Sequence, residues 1–266
     1  MKRIAIYCVV YQSYQELNNY LKSIYKASAL ANDCNIDVFI ADNTAENFQD
    51  IPTKDSPTLT FKVFPFHKNH GYFGGIRQLM LFAQPHDYDY VIISNVDVLL
   101  EEDFFLKLTA YECAADTGWI APATISIETK YDLNPQSRTR YSLLKLRILL
   151  FLFKHPFLHN LYERTCWQAR RQQQQEAGTV YAGHGSFIIL TREYFNRCSI
   201  IDYPVFLYSE ELYLGEMCHL HHLMVNYVPN IKVMDVGSVS TGKMQREFYY
   251  KCKADATEYI IHKFYV

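Results

Sequence analysis

An α/β domain with a largely parallel central sheet is the fold class this sequence predicts, on three observations. Short β-branched apolar runs such as Val91-Ile92-Ile93 read as strands buried on both faces. They alternate with stretches at helical spacing, such as Leu17, Tyr20, Leu21, Ile24 and Tyr25. Polar and acidic residues gather where the apolar runs stop, the place at which open α/β sheets bind ligands.

Taken in order, residues 3–11 are the first expected strand and 15–29 the first helix. A second strand, 37–41, ends at Asp42-Asn43-Thr44, and a third, 61–64, stops at Pro65. Asn69-His70-Gly71-Tyr72-Phe73-Gly74-Gly75 is a glycine-rich turn leading into a helix over 76–82. The strand 90–95 then delivers one carboxylate, Asp97, ahead of Glu101-Glu102-Asp103 and a helix over 102–115. From its own surroundings Asp97 is equally a ligand-site carboxylate or a cap of that helix. A strand follows over 119–125.

Residues 127–178 break the rhythm. Residues 141–156 are strongly apolar but interrupted by Lys145, Arg147 and Lys154, and Arg164, Arg170, Arg171 and a glutamine run over 172–175 come after them. A segment of this kind suits a helix lying in a membrane interface, or a helix covering a core or a dimer contact. Beyond it, 179–182 leads through Gly183-His184-Gly185-Ser186 to a strand over 187–190. The run Phe206-Leu207-Tyr208 precedes Ser209, a reasonable N-cap, and Glu210-Glu211, which open a helix reaching about His221. Two short strands, 224–228 and 231–236, and a final helix over 245–264 complete the chain. The expected organisation is one continuous domain: 1–126 as the nucleotide-binding half, 127–178 as a helical insertion, 179–266 as the acceptor-side half.

Composition excludes several classes. A net charge of −2 gives no drive toward nucleic acid. No apolar run reaches the ~20 residues of a membrane span. Residues 1–13 lack a signal-peptide pattern. Seven scattered cysteines with no CxxC pair suit reduced thiols in a cytoplasmic protein. Two motifs are set aside. The spacing in His219-Leu220-His221-His222 does not put the rings on one helical face. Gly237 to Lys243 matches GxxxxGK, but Met244 replaces the Ser or Thr of a phosphate loop and too little chain follows for an NTPase core.

The candidate chemistry lies in acidic residues at strand ends and helix starts: Asp42, Asp97 and Glu210-Glu211. A carboxylate beside aromatic walls has its pKa raised, as a general base requires. Glu210-Glu211 also has a plain reading as first-turn acids favourable to the helix dipole.

In this order the motifs resemble the bacterial family 2 glycosyltransferases of GT-A fold, particularly the rhamnosyltransferase-like branch. The resemblance covers nearly the whole chain except 127–178. The opening strand and loop, with Val10 and Tyr11, resemble the segment lining the nucleotide pocket. Asp42 and Asn43 are similar to the second-strand aspartate motif that contacts base or ribose. Asn69, Gly71, Gly74 and Gly75 follow the family's NxGxxGG turn, with Arg77 just beyond. Asn95-Val96-Asp97 stands where relatives carry a DXD-type motif whose last aspartate binds a divalent cation and diphosphate. His184, Gly185 and Ser186 sit where donor and acceptor sugars meet, and Phe206 to Glu211 is similar to the motif bearing the catalytic base. The sequence departs from the pattern at Asn95, at Glu211 in place of Asp, and at Asp235 where many relatives hold a metal-binding His.

The resemblance implies an inverting, metal-dependent enzyme. Glu211 would be the base, with Glu210 second, and Asp97 and Asp235 would hold Mg2+ or Mn2+. It implies a UDP- or dTDP-linked nucleotide-sugar donor and a glycan or lipid-linked oligosaccharide acceptor in surface polysaccharide assembly. Location at the cytoplasmic face of the membrane, a peripheral membrane contact and a homodimer are further expectations. A catalytically silent nucleotide-sugar-binding scaffold and a sugar nucleotidyltransferase are the alternatives. The latter fits poorly, because residues 9–13 contain no glycine or basic residue.

Overall fold

The computed structural model describes residues 1–31, 33–160, 176–237 and 245–265. Arg164, Cys166, Arg170, Arg171, the glutamine run and all of the GxxxxGK stretch but Gly237 lie outside them.

Strand β1 (Lys2–Val10) is flanked by β2 (Cys34–Asp42) and β4 (Tyr90–Asn95), and β3 (Leu59–Pro65) lies beyond β2, all parallel. Ile4, Ile6, Cys8 and Val10 face α1 (Tyr14–Ala29), while Ala5 and Tyr7 face α2 (Tyr72–Met80). Helices on both faces explain why these strands read as unbroken apolar runs rather than alternating ones.

The other half of the sheet is mixed. β8 (Phe187–Thr191) lies antiparallel between β4 and β6 (Thr117–Ser126), and β6 is parallel to β9 (Met224–Asp235). β5 (Val98–Leu100) and β7 (Gly178–Val180) pair antiparallel with β9. The resulting order is β3-β2-β1-β4-β8-β6-β9-β5, with β7 on β9. The carboxyl ends of β1, β2, β3, β4, β6 and β9 therefore share one edge with the start of β8. Helix α3 (Phe104–Ala110) joins the α1 side, while α5 (Arg192–Cys198), α6 (Glu210–Leu220) and α7 (Arg246–Phe264) pack on the α2 side.

Several expectations need correction. The two short strands after α6 are one strand, with the irregularity falling opposite Pro122 and Ala123. Helix α2 begins at Tyr72, inside the glycine turn, and α3 begins only at Phe104. Strand β5 and helix α5 were not anticipated, being a three-residue strand and a seven-residue helix too short to show a period. Because β5 separates Asp97 from α3, Asp97 is not that helix's cap.

The stretch 127–178 is not peripheral throughout. Asp132 accepts from Thr124 N and Tyr227 Oη, and Arg140 forks onto buried Glu216 of α6 at 2.9–3.0 Å. Tyr181 and Tyr265 also donate to Glu216. Helix α4 (Leu143–Lys154), capped by Ser142, packs along α7 and carries the Lys154–Glu258 ion pair at 3.0 Å. Leu146 is its only buried residue, whereas Leu144, Ile148 and Phe151 are exposed at helical spacing. Among the described residues no helix is long and apolar enough to cross a membrane. Their cysteines are free thiols, buried except for Cys113.

Candidate functional site

The first part of the site is built from the loops after β1 and β2. Asp42 is buried and accepts from Tyr14 Oη at 2.8 Å and Thr44 N at 2.9 Å. Gln12 N donates to Thr44 Oγ1, and Asn43 N donates to Val10 O. Asp42 therefore organises the loop it ends, and Tyr11 beside it presents an exposed ring. Asn43 Nδ2 donates to Gly71 O at 2.9 Å, which ties this loop to the glycine turn.

That turn depends on glycine for defined reasons. Asn69 Oδ1 accepts from Gly71 N, and Gly71 has φ +75. A Cβ there would stand 2.1 Å from Phe206 O, so only glycine lets the turn seat against the strap leading to α6. At Gly75 a Cβ would crowd Val9 and Asn43, which sets how closely α2 approaches β1. Arg77 does not join this group, since its guanidinium pairs with Asp202 at 3.2 Å on the partly exposed side of α2.

Asn95 ends β4, and its N–H donates to Ser186 O at 2.9 Å, which joins the Asn95-Val96-Asp97 corner to the Gly183–Ser186 loop. That loop hangs from a residue the sequence did not flag. Buried Asn134 accepts from His184 N at 2.7 Å and donates to Pro122 O and Thr124 Oγ1. Its position in the irregular stretch after β6 gave no motif by which to find it.

The strap before α6 is strained. Tyr208 and Ser209 have φ of 74° and 60°, and the Tyr208 carbonyl is held by Tyr203 Oη at 2.6 Å. Left-handed backbone costs about 1–2 kcal/mol for such residues and clusters at functional sites. The N-cap expectation fails here, because Ser209 makes no side-chain cap hydrogen bond. The strained turn aims two adjacent carboxylates into the site instead. Glu211 Oε2 lies 3.3 Å from the Cβ position of Gly185, and Tyr72 Oη donates to Gly185 O at 3.3 Å. Tyr72, also absent from the sequence-based set, thus lies between the glycine turn and the two glutamates.

Electrostatics separates the pair. Burial, then the charge of Glu211, pushes Glu210 up to about 8, and Glu210 Oε1 is buried with no hydrogen-bond partner among the described residues. Burial raises Glu211 as well, opposed first by its own backbone N–H and then by the charge of Lys253. Burial drives the Tyr72 hydroxyl well above its usual range, with Glu210 and Asp97 adding to the effect. His184, whose Nδ1 meets Ser186 Oγ at 2.8 Å, is lowered by burial while Asp235 and Asp132 oppose the shift.

A divalent cation finds suitable donors here. Val98 pairs with Asp235 across the β5–β9 ladder, and Val236 N donates to Asp97 O at 2.9 Å, so two carboxylates stand on adjoining backbone. Such hard oxygen donors fit Mg2+ or Mn2+. Among the described residues no group of three or more His, Cys, Asp or Glu surrounds one point. Such an ion would therefore draw its remaining ligands from diphosphate and water, as Mg2+ commonly does.

No protein-family model matches the chain, and neither does any curated protein. Among solved structures, the chain is similar to GalNAc-T7 with UDP, GalNAc and Mn2+, at TM-score 0.59 and 10% identity. The match covers 98% of this chain and 48% of that one, so the chain spans about half of that protein's length. It is also similar to the mannosyltransferase PcManGT from Pyrobaculum calidifontis in complex with GDP-Man and Mn2+, at TM-score 0.54 and 11% identity, covering 98% of this chain and 72% of that one. At such identities the likeness is one of fold, and the fold is GT-A: a mixed α/β sheet flanked by helices, its polar residues collected at the carboxyl edge.

Proposed function

We propose that this protein is an inverting glycosyltransferase that moves a sugar from a nucleoside-diphosphate donor to an acceptor hydroxyl. One observation carries the reading. At the carboxyl edge of a GT-A sheet, Glu211 faces the Gly185 backbone while Asp97 ends the neighbouring corner. Residues 1–126 serve as the donor half, with Tyr11, Asp42, Asn43 and the glycine turn shaping the nucleoside and diphosphate site. Residues 179–266 serve as the acceptor half, with 127–178 supplying the α4 helix.

In the reaction the acceptor oxygen attacks the anomeric carbon from the side opposite the diphosphate. The new C–O bond forms as the bond to the β-phosphate oxygen breaks, and that oxygen leaves with the electron pair. Glu211 takes the acceptor proton, and burial, by raising its pKa, makes it a stronger base. Asp97 and Asp235 would hold a divalent cation, which would supply positive charge beside the departing diphosphate. Gly185 and Ser186 position the sugar, and His184 lines the same loop.

The finer assignment follows the order of motifs: a family 2 enzyme of the rhamnosyltransferase-like branch, using a UDP- or dTDP-linked donor in bacterial surface polysaccharide assembly. Exposed Leu144, Ile148 and Phe151 on α4, beside Lys145, Arg147 and Lys154, support peripheral contact with the inner face of the membrane and a lipid-linked acceptor.

The test combines binding with turnover. Thermal shift against UDP, dTDP and GDP, with and without Mn2+, is expected to show stabilisation by one nucleotide that grows with metal. With the donor so identified, Glu211→Gln lowers turnover by about 10³-fold while leaving nucleotide binding unchanged. Asp97→Ala lowers turnover by about 10²-fold and removes the metal dependence of binding. Full turnover in either variant would sink the assigned role.

A further inference from the structure

Helix α6 carries a further acidic residue that the mechanism does not use. Glu216, about one and a half turns beyond Glu211, is 1% exposed. Its carboxylate is fully taken up. Arg140 Nε lies 3.0 Å from both oxygens, and Arg140 Nη2 lies 2.9 Å from Oε2. Tyr181 Oη donates to Oε1 at 2.7 Å, and Tyr265 Oη, which donates to the same oxygen, also lies 2.7 Å from Tyr141 O. The Arg140 guanidinium stands over the Tyr265 ring, 4.3 Å from its centroid. A buried ion pair adds little to stability, because desolvation offsets most of the attraction. What this network adds is one defined geometry, since a two-pronged guanidinium and two phenols are satisfied together in a single arrangement.

That arrangement bears on the site. Gly215, next to Glu216, packs so closely that a Cβ there would stand 2.8 Å from Tyr181 O. The facing backbone is anchored in turn, because Tyr181 N and Ala182 N both donate to Ser137 O at 3.1 Å. Residues four apart share a helix face, so Glu211 stands on the side of α6 that Gly215 presents. Along this face the helix lies over 181–185. Gly215 meets Tyr181 at one end, and Glu211 Oε2 approaches Gly185 at the other. The Glu216 network fastens the first end, and the proposed reaction takes place at the second.

We propose that Glu216 is a positioning residue. With Arg140, Tyr181 and Tyr265 it fixes how α6 sits on the Gly183–Ser186 loop, and thereby where Glu211 stands relative to the sugar held there. The inference rests on the glycosyltransferase reading and adds the device that sets the base in place.

The experiment uses the full chain with Mn2+ and four donors: UDP-glucose, UDP-N-acetylglucosamine, dTDP-rhamnose and GDP-mannose. Release of the nucleoside diphosphate reports transfer of the sugar to water, whose oxygen takes the place of the acceptor hydroxyl. Glu216→Gln keeps the side-chain volume but removes the charge, and Tyr265→Phe removes one hydroxyl from a half-buried ring. The kcat is expected to fall about tenfold or more in Glu216→Gln and about threefold in Tyr265→Phe, with the KM for donor unchanged in both. A merely structural network would lower the melting temperature and leave kcat, measured well below it, at the wild-type value. That result in both variants overturns the proposal, as does a loss carried by KM alone. Should Glu216→Gln fail to fold, Tyr265→Phe decides. If the wild type releases nucleoside diphosphate from none of the donors, the glycosyltransferase reading falls and the proposal with it, whereas unchanged kcat in the variants removes the proposal alone.

Discussion

Around Asp42 the polar groups are knitted to one another: both carboxylate oxygens accept from Tyr14 and Thr44, Thr44 accepts from Gln12, and Asn43 reaches Gly71. Around Glu210 the bonding is sparser. Two residues sit at positive φ, a buried carboxylate oxygen lacks a partner among the described residues, and the Lys253 cation lies over three rings. The first region is a cradle held together by these hydrogen bonds, with Asn43 Oδ1 left as a buried acceptor without a partner among the described residues. The second keeps unsatisfied groups in place at a cost to stability, as expected where groups must exchange protons or meet a variable substrate.

Gly71→Ala joins the two regions and carries the largest expected effect. The new Cβ meets Phe206 O at a position of positive φ, so a loss of about 2–4 kcal/mol is expected in chemical denaturation. Cradle and strap should loosen together. A loss below about 0.5 kcal/mol would mean that the turn does not bear on the strap.

A smaller, pH-dependent effect tests Glu210. Its folded pKa of about 8 lies above the ordinary 4.5, so between these values the folded state keeps a proton that the unfolded state releases. Stability of the wild type should therefore fall as pH rises through that window, by at most about 1.4 kcal/mol per pH unit. Glu210→Gln should lack this loss and gain on the wild type from pH 5 to pH 8.5. Parallel denaturation midpoints across the window would show that Glu210 ionises freely.

The smallest effect is expected at Arg77. Its pair with Asp202 is solvent-exposed on both sides, so Arg77→Ala should cost under about 1 kcal/mol and leave nucleotide affinity unchanged. A tenfold loss of affinity would return Arg77 to the donor site and enlarge the cradle.

Much of the cradle was legible because its signals are local. Buried parallel strands read as apolar runs, and the glycine cluster marks the break between β3 and α2, although only Gly71 lies outside the helix. Asn134 and Tyr72 were not legible, because each matters through a partner at least 50 residues away: His184 and Gly185 respectively. Nothing in their own neighbourhoods marks them. Ser209 misled for a related reason. Ser before Glu-Glu is a good local cap, but the tertiary seat of the strap forces it into left-handed backbone.

The sequence by itself determined the α/β class, most of the strands and helices, and the set of carboxylates worth attention, since periodicity and turn chemistry act over a few residues. Only the tertiary structure decided that Asp97 is separated from α3 by a strand, that Asp235 stands beside it across a ladder, and that Glu211 faces Gly185 while Glu210 is buried. Those facts depend on register and burial, which are set when distant segments pack together.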